Sequence, residues 1–303
     1  MHELPQIERV GAAMTLTPYS DVVLAEASRF AQRLETPLTL IHTGASEAES
    51  REYLEATAAR LSVPHERHVI WNQKDPCQAL LAAASENGIE LLVVGAFEGP
   101  LVKRRRFLSP VARCLAESAG CSLLLVVHPR TEKQEFRRIV AITDFSECSK
   151  VACRQALWLA EKDSAEWVCI VSIHTVFMDA RAGIGASDGK LARTRGEEEE
   201  LMESFVADLS PARVSLDWRV IDATTGLAAC DFAEEMEADL LVLPGHNRPG
   251  GRVPAMADWA LQVVPCSLWI VHCGPCWNPQ NFSSQAQGRA QTALASTPTS
   301  KGA

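Results

Sequence analysis

A chain of 303 residues is long for one domain, and at about 150 residues per domain it suggests two, each able to bury its own core. With 47% hydrophobic and 22% charged residues it lies near the globular average, which excludes a disordered, fibrous or disulfide-dense secreted protein. The net charge of −9 speaks against a surface that neutralises nucleic-acid phosphates or sits on anionic lipid. Residues 1–137 hold 15 Lys and Arg against 17 Asp and Glu, and the remainder 14 against 21, so the second half is the acidic one.

In chain order, ERVGAAMT reads as a strand, DVVLAEASRFAQRL as a helix and PLTLIH as a strand. The polar helix ASEAESREYLEATAARL carries Leu54, Ala58 and Leu61 as its apolar stripe. HERHVIW is a third strand, PCQALLAAASENG a helix closed by Gly88, and IELLVVGA a strand apolar enough to be covered on both faces. The helix SPVARCLAESAG and the strand CSLLLVV complete the unit. The same order recurs in RRIVAITDFS, ECSKVACRQALWLAEK, EWVCIVSIHTV, GEEEELMESFVADL, RVSLDWRVID, TGLAACDFAEEMEA, DLLVLPG, PAMADWALQVV and PCSLWIVH. Alternating strands and helices specify an α/β layer fold, here duplicated. Matching Thr15 with Asp144, His42 with His174, Gly95 with Gly245 and Cys121 with Cys266 locates an insertion within FMDARAGIGASDGKLARTRG. The expected organisation is a domain over 1–134, a second over 135–274 and a polar, disordered tail over 275–303.

No apolar run approaches the roughly 20 residues of a membrane span, and the first residues form no signal segment, so the expected location is cytoplasmic. Cys114, Cys153, Cys169 and Cys230 lie in apolar or helical runs and read as reduced, buried thiols.

The openings RIVAITDFSECSKVACRQALWLA and IVSIHTV, the strands IELLVVGA and DLLVLPGH, and the endings AGCSLLLVV and VPCSLWIV resemble the universal stress protein family. The resemblance covers residues from about 8 to 273 as a tandem member. It implies two doubly wound domains, each a five-stranded parallel sheet in the order 3-2-1-4-5 flanked by helices. It also implies that ATP, in the members that bind it, lies where strands 1 and 4 diverge. Those members use an aspartate ending strand 1 and the pattern G-x2-G-x9-G-[ST] after strand 4. Glycines admit phosphate to the backbone and a helix N-terminus supplies N–H groups.

In the first copy the resemblance maps the site onto Thr15, Gly95, Gly99 and Ser109, with Thr15 replacing the aspartate and Pro110 following Ser109. Ser109-Pro110 is also an ordinary helix start. Lys103 to Arg106 beside it offer either anion recognition or a solvated loop. In the second copy the mapped residues are Asp144, Thr175, Gly245, Gly250 and Gly251, in a loop shorter than the family's. There Asp144 either meets a nucleotide or caps the following helix. His42 and His174 close the second strand of each copy and suggest a shared hydrogen-bonding task, while Glu197 to Glu200 suit a helix N-terminus. Cys273-Gly-Pro-Cys276 has a thioredoxin-like spacing but no packed helix behind it.

No nucleophile elbow or metal-protease motif is present, and no metal ligand set. The leading expectation is a cytoplasmic stress-response or regulatory binding protein without catalytic turnover. The alternatives are an ATP-binding switch with slow hydrolysis centred on the second domain, and thiol redox through Cys273 and Cys276. Expected partners are the other domain through the fifth-strand edges, a second copy, and a regulatory protein.

Overall fold

The computed structural model describes residues 7–17, 19–44, 47–71, 75–97, 108–127, 135–175, 194–209, 213–245 and 255–272. The tail over 275–303, Cys273 and Cys276, the basic run Lys103 to Arg106, and Gly99, Gly250 and Gly251 lie outside these residues. The first half contains β1 (Val10–Met14), α1 (Ser20–Leu34), β2 (Leu38–Thr43), α2 (Glu47–Arg60), β3 (Arg67–Trp71), α3 (Pro76–Glu86), β4 (Leu91–Gly95), α4 (Pro110–Ser118) and β5 (Ser122–Val126). The second contains β6 (Arg138–Ile142), α5 (Glu147–Asp163), β7 (Trp167–Thr175), α6 (Arg195–Ala207), β8 (Leu216–Ala223), α7 (Leu227–Glu235), β9 (Leu240–Pro244), α8 (Ala255–Gln262) and β10 (Ser267–Val271).

The strands form one ten-stranded sheet in the order β3-β2-β1-β4-β5-β10-β9-β6-β7-β8. Each half therefore has the expected doubly wound order. Every neighbouring pair is parallel except β5 with β10, which is antiparallel. β4 and β9 bury both faces, which is why they read as unbroken apolar runs. Leu92, Val94, Leu241 and Leu243 face the layer that holds α3, α4, α7 and α8. Their neighbours Leu91, Val93, Leu240 and Val242 face α1, α2, α5 and α6. Each apolar layer runs without a break across both halves.

The junction is built around a local two-fold relation. Leu125 pairs with Leu268, Leu124 with Trp269 and Leu123 with Ile270. Outside these, the Val127 N–H donates to Ser267 Oγ and the His272 N–H to Ser122 Oγ, both at 3.2 Å. The two buried serines thus satisfy the backbone where the short ladder ends. The symmetry breaks at its centre, where Trp269 stands in the place of Leu124. Its ring meets Phe30 of α1 edge-on at 5.3 Å, and Phe30 meets Phe136 at 6.3 Å. Beside this cluster, Asp163 at the end of α5 accepts the Phe136 N–H at 2.7 Å and forms an ion pair with Arg33 of α1. Burial outweighs the mutual attraction on both partners, pushing the Asp163 carboxyl above its ordinary 3.8 and Arg33 below its ordinary value.

The cysteines require a correction. Cys77 of α3 and Cys114 of α4 form a disulfide, so Cys114 is not a reduced thiol, and Cys148 is also disulfide-bonded. The reason is tertiary: α3 and α4 lie side by side on one face, with a Cα–Cα distance of 6.2 Å, within bridging range. Cys121, Cys153, Cys169, Cys230 and Cys266 are buried thiols outside these disulfides.

Trp269 is fully buried, and its indole Nε1 has no hydrogen-bond acceptor among the described residues. Trp269→Ala is therefore expected to lower stability by about 3–5 kcal/mol, and Trp269→Phe by less than about 1.5 kcal/mol, in urea unfolding. Asp163 binds more protons folded than unfolded between 3.8 and its raised value. Its contribution to stability is therefore largest below that interval and shrinks as pH rises through it. The stability difference between wild type and Asp163→Asn, followed by urea midpoints from acid to neutral pH, should decline across that window and then level off.

Candidate functional site

Strand order reverses between β1 and β4 in the first half and between β6 and β9 in the second, which leaves a crevice at the carboxyl ends of those strands. In the second half Ala141 pairs with Val242, and the same register continued places Asp144 level with Gly245. The turn carrying Asp144 is fixed by its own side chains. Asp144 Oδ1 accepts the Ser146 N–H at 3.0 Å, and Thr143 Oγ1 accepts the Phe145 N–H at 2.9 Å. Phe145 adopts a left-handed φ of 62°, and its ring is held edge-on against Phe205 of α6 at 5.7 Å. Ser146, not Asp144, caps α5 by accepting the Ser149 N–H at 3.2 Å. The carboxylate therefore sits at the mouth of the crevice as a hydrogen-bond acceptor.

The first half closes the corresponding turn on itself. The Thr15 N–H donates to Ser20 Oγ at 2.9 Å, the Thr15 hydroxyl lies 2.8 Å from Thr17 Oγ1, and the Ser20 hydroxyl donates to the Thr15 carbonyl. Ser109 is the N-cap of α4, accepting the Ala112 N–H at 3.1 Å, with Pro110 as the first helical residue. Both first-half hydroxyls are thus engaged in shaping the chain.

Backbone pairing also corrects two sequence matches. Gly245 donates to the Val271 carbonyl at 2.7 Å, and its counterpart in the first half is Ala96, which donates to Val126 at 2.9 Å. Gly95 lies one position earlier. A Cβ on Gly245 would come within 2.9 Å of the His272 ring and 3.0 Å of the Val271 carbonyl, so close packing at the end of β10 demands this glycine. A Cβ on Gly95 would meet only Val23 at 3.4 Å, an ordinary contact.

The histidines differ as well. His42 pairs with Met14, and its Nδ1 lies 2.9 Å from the Met14 carbonyl. In the second half Val171 pairs with Ile142, so Ser172 takes the place equivalent to His42 and His174 lies farther along. His174 Nδ1 is 2.7 Å from Glu198 Oε2, and the Ser172 hydroxyl donates to Glu198 Oε1. Glu198 is only 4% exposed. The sequence reading assigned Glu197 to Glu200 to the helix N-terminus alone. In fact Glu197 forms a capping box with Thr194, whereas Glu198 faces inward with Met202 and Phe205. That spacing along α6 was the signal available in the sequence.

Together, these groups form a hydrogen-bonded wall at the carboxyl ends of β6 and β7. The carboxylate lies between Ser172 and His174, so the serine is not hydrogen-bonded to an imidazole base as a nucleophile would require. Thr175 closes β7, its backbone paired with Ala223. Among the described residues, no group of three or more His, Cys, Asp and Glu is placed to hold a metal ion, and no helix is long and apolar enough to cross a membrane. A cleft of about 260 Å³ lies at the other end of the first half, between Gln32, Thr36, Pro64 and His65, away from these side chains.

The family model of the universal stress proteins matches residues 135–272. A universal stress protein of Synechocystis is 27% identical over 151 residues, covering 45% of this chain and 97% of the relative. The crystal structure of a universal stress protein from Archaeoglobus fulgidus covers 89% of this chain and 100% of its own, with a TM-score of 0.59 and 14% identity. That of a functionally unknown protein from Pseudomonas aeruginosa covers 94% and 98%, with a TM-score of 0.66 and 13% identity. At such identities the two structures speak to the fold alone, and they share it across both halves.

Removing the inward carboxylate leaves two buried polar groups without it. Glu198→Ala is expected to cost about 2–4 kcal/mol in chemical unfolding, whereas Glu199→Ala, on the exposed side of α6, should change stability by less than about 0.5 kcal/mol.

Proposed function

We propose that the chain is a tandem member of the universal stress protein family, whose model matches residues 135–272, and that it is a cytoplasmic stress-response regulatory protein that works by binding rather than by catalytic turnover. The observation that carries this reading is the inequality of the two crevices. Thr15 and Ser109 offer only hydroxyls, both engaged within the chain, whereas Asp144, itself bonded to the Ser146 N–H, brings a charged carboxylate level with Gly245. Binding, on this reading, is a property of the second half.

A second reading rests on the same carboxylate: an adenine nucleotide, ATP foremost, held in the second crevice as a switch with slow hydrolysis. The described residues fit such a ligand in part. Asp144 is an acceptor suited to a ribose hydroxyl or an adenine amine, and the N-terminus of α8 follows the loop after Gly245. Thr175, Gly250 and Gly251 remain proposed contacts, with Thr15, Gly95, Gly99 and Ser109 their weaker counterparts. Since β5 and β10 already pair within one chain, a homodimer of this protein would use another surface.

Calorimetric titration of ATP into the wild type, Asp144→Ala and Thr15→Ala separates the readings. The nucleotide reading expects one site per chain, weakened at least about tenfold by Asp144→Ala and unchanged by Thr15→Ala. Phosphate release measured alongside distinguishes a switch from a pure binder. No heat with the wild type would sink the nucleotide reading and leave binding of a macromolecular partner.

A further inference from the structure

The Cys77–Cys114 disulfide joins two helices of the first half, and its surroundings set it apart from the other described thiols. Cys77 lies in the first turn of α3 and is 4% exposed, while Cys114 on α4 is half-buried and reachable from solvent. By contrast the five cysteines that retain their thiols are buried. Burial pushes the Cys169 thiol up to about 12 and the Cys153 thiol higher still, so both stay protonated and inert.

The duplication supplies an internal control. Ile89 donates to the Ala84 carbonyl and Ala238 to the Ala233 carbonyl, each at 2.8 Å, which aligns α3 with α7. Counting back along the sequence from there, Cys77 corresponds to Gly226. Counting back equally from Cys121 and Cys266, Cys114 corresponds to Trp259. The second half thus places a residue without a side chain and a large indole where the first half has two sulfurs. The fold itself needs no covalent link at this point.

α4 begins at Ser109, whose N–H is bonded at 2.9 Å to the carbonyl of Ala96 at the end of β4. Its apolar side rests on the core through Ala112, Leu115 and Ala116, three residues of a nine-residue helix. We propose that the Cys77–Cys114 pair is a reversible thiol–disulfide site that tethers α4 in the oxidised chain and releases it on reduction.

In the exchange, a thiolate of a dithiol or of glutathione attacks Cys114 Sγ, the accessible sulfur. The Sγ–Sγ bond breaks, and Cys77 leaves as a thiolate in the first turn of α3, beside the Asp75 carboxylate that already accepts the Cys77 and Gln78 N–H groups, and at once takes up a proton. A second reductant thiolate frees Cys114, which is protonated in turn. The reductant departs as its disulfide, having supplied two electrons.

The test uses the full chain equilibrated in mixtures of reduced and oxidised glutathione, alkylated and mapped by mass spectrometry, with amide hydrogen exchange measured on the oxidised and reduced forms. Cys77 and Cys114 should become alkylated together as the reduced fraction rises, with Cys121, Cys153, Cys169, Cys230 and Cys266 protected. Exchange across residues 110–118 should accelerate at least about tenfold on reduction while that of α1 stays unchanged. Cys114→Ser should show the fast exchange in every buffer; should that variant not fold, the comparison of the two wild-type forms decides alone. Full alkylation of Cys77 and Cys114 without reductant overturns the proposal. So does a disulfide that resists glutathione until the chain is unfolded, or a reduced chain whose α4 exchanges as slowly as before.

Discussion

The antiparallel ladder between β5 and β10 is the contact on which the rest of the molecule depends. It covers the edges that two separate five-stranded sheets would expose, and it makes both apolar layers continuous from one half to the other. The ladder is short, and Ser122 and Ser267 extend it by receiving the N–H groups just beyond its ends. What holds it is the packing above it, where Trp269, Phe30 and Phe136 interlock and Arg33 reaches Asp163. These side chains come from both halves. Burial works against the charge of both Asp163 and Arg33, which offsets part of their mutual attraction, whereas the aromatic cluster carries no such cost.

Within this near-symmetrical frame, the halves have diverged wherever the frame itself did not constrain them. Both halves keep the strand order, the buried serines at the junction and the backbone bonds of Ala96 and Gly245. The turn after the first strand has become a closed hydroxyl cluster in one half and a carboxylate-bearing turn in the other. The contact between the third and fourth helices has become covalent in one half only. The two halves differ at the ends and flanks of the strands, and the layers beneath have stayed alike.

The duplicated architecture was legible because continuous apolar runs such as LLVVG and LLVLP report burial on both faces, and their alternation with helices leaves few topologies. The equivalence of individual residues was less so. Matching like letters paired Gly95 with Gly245 and His42 with His174. Hydrogen bonding, which follows backbone register rather than residue type, pairs Ala96 with Gly245 and His42 with Ser172. Asp144 was found through the family resemblance, which expects an aspartate at the end of the first strand. Glu198 was missed because three similar neighbours hid its inward direction, and Cys77 with Cys114 because their meeting depends on two helices that only the tertiary fold brings together.

One consequence follows from the direction of the central ladder. Every other neighbouring pair of strands runs parallel, so the single reversal between β5 and β10 turns the carboxyl ends of the second half's strands away from those of the first. The Thr15 crevice and the Asp144 crevice consequently open at opposite ends of the sheet, and no small ligand spans both. The molecule is bipolar: its two ends are joined through the middle of the sheet, where Leu124 faces Trp269, and through the apolar layers on either side of it.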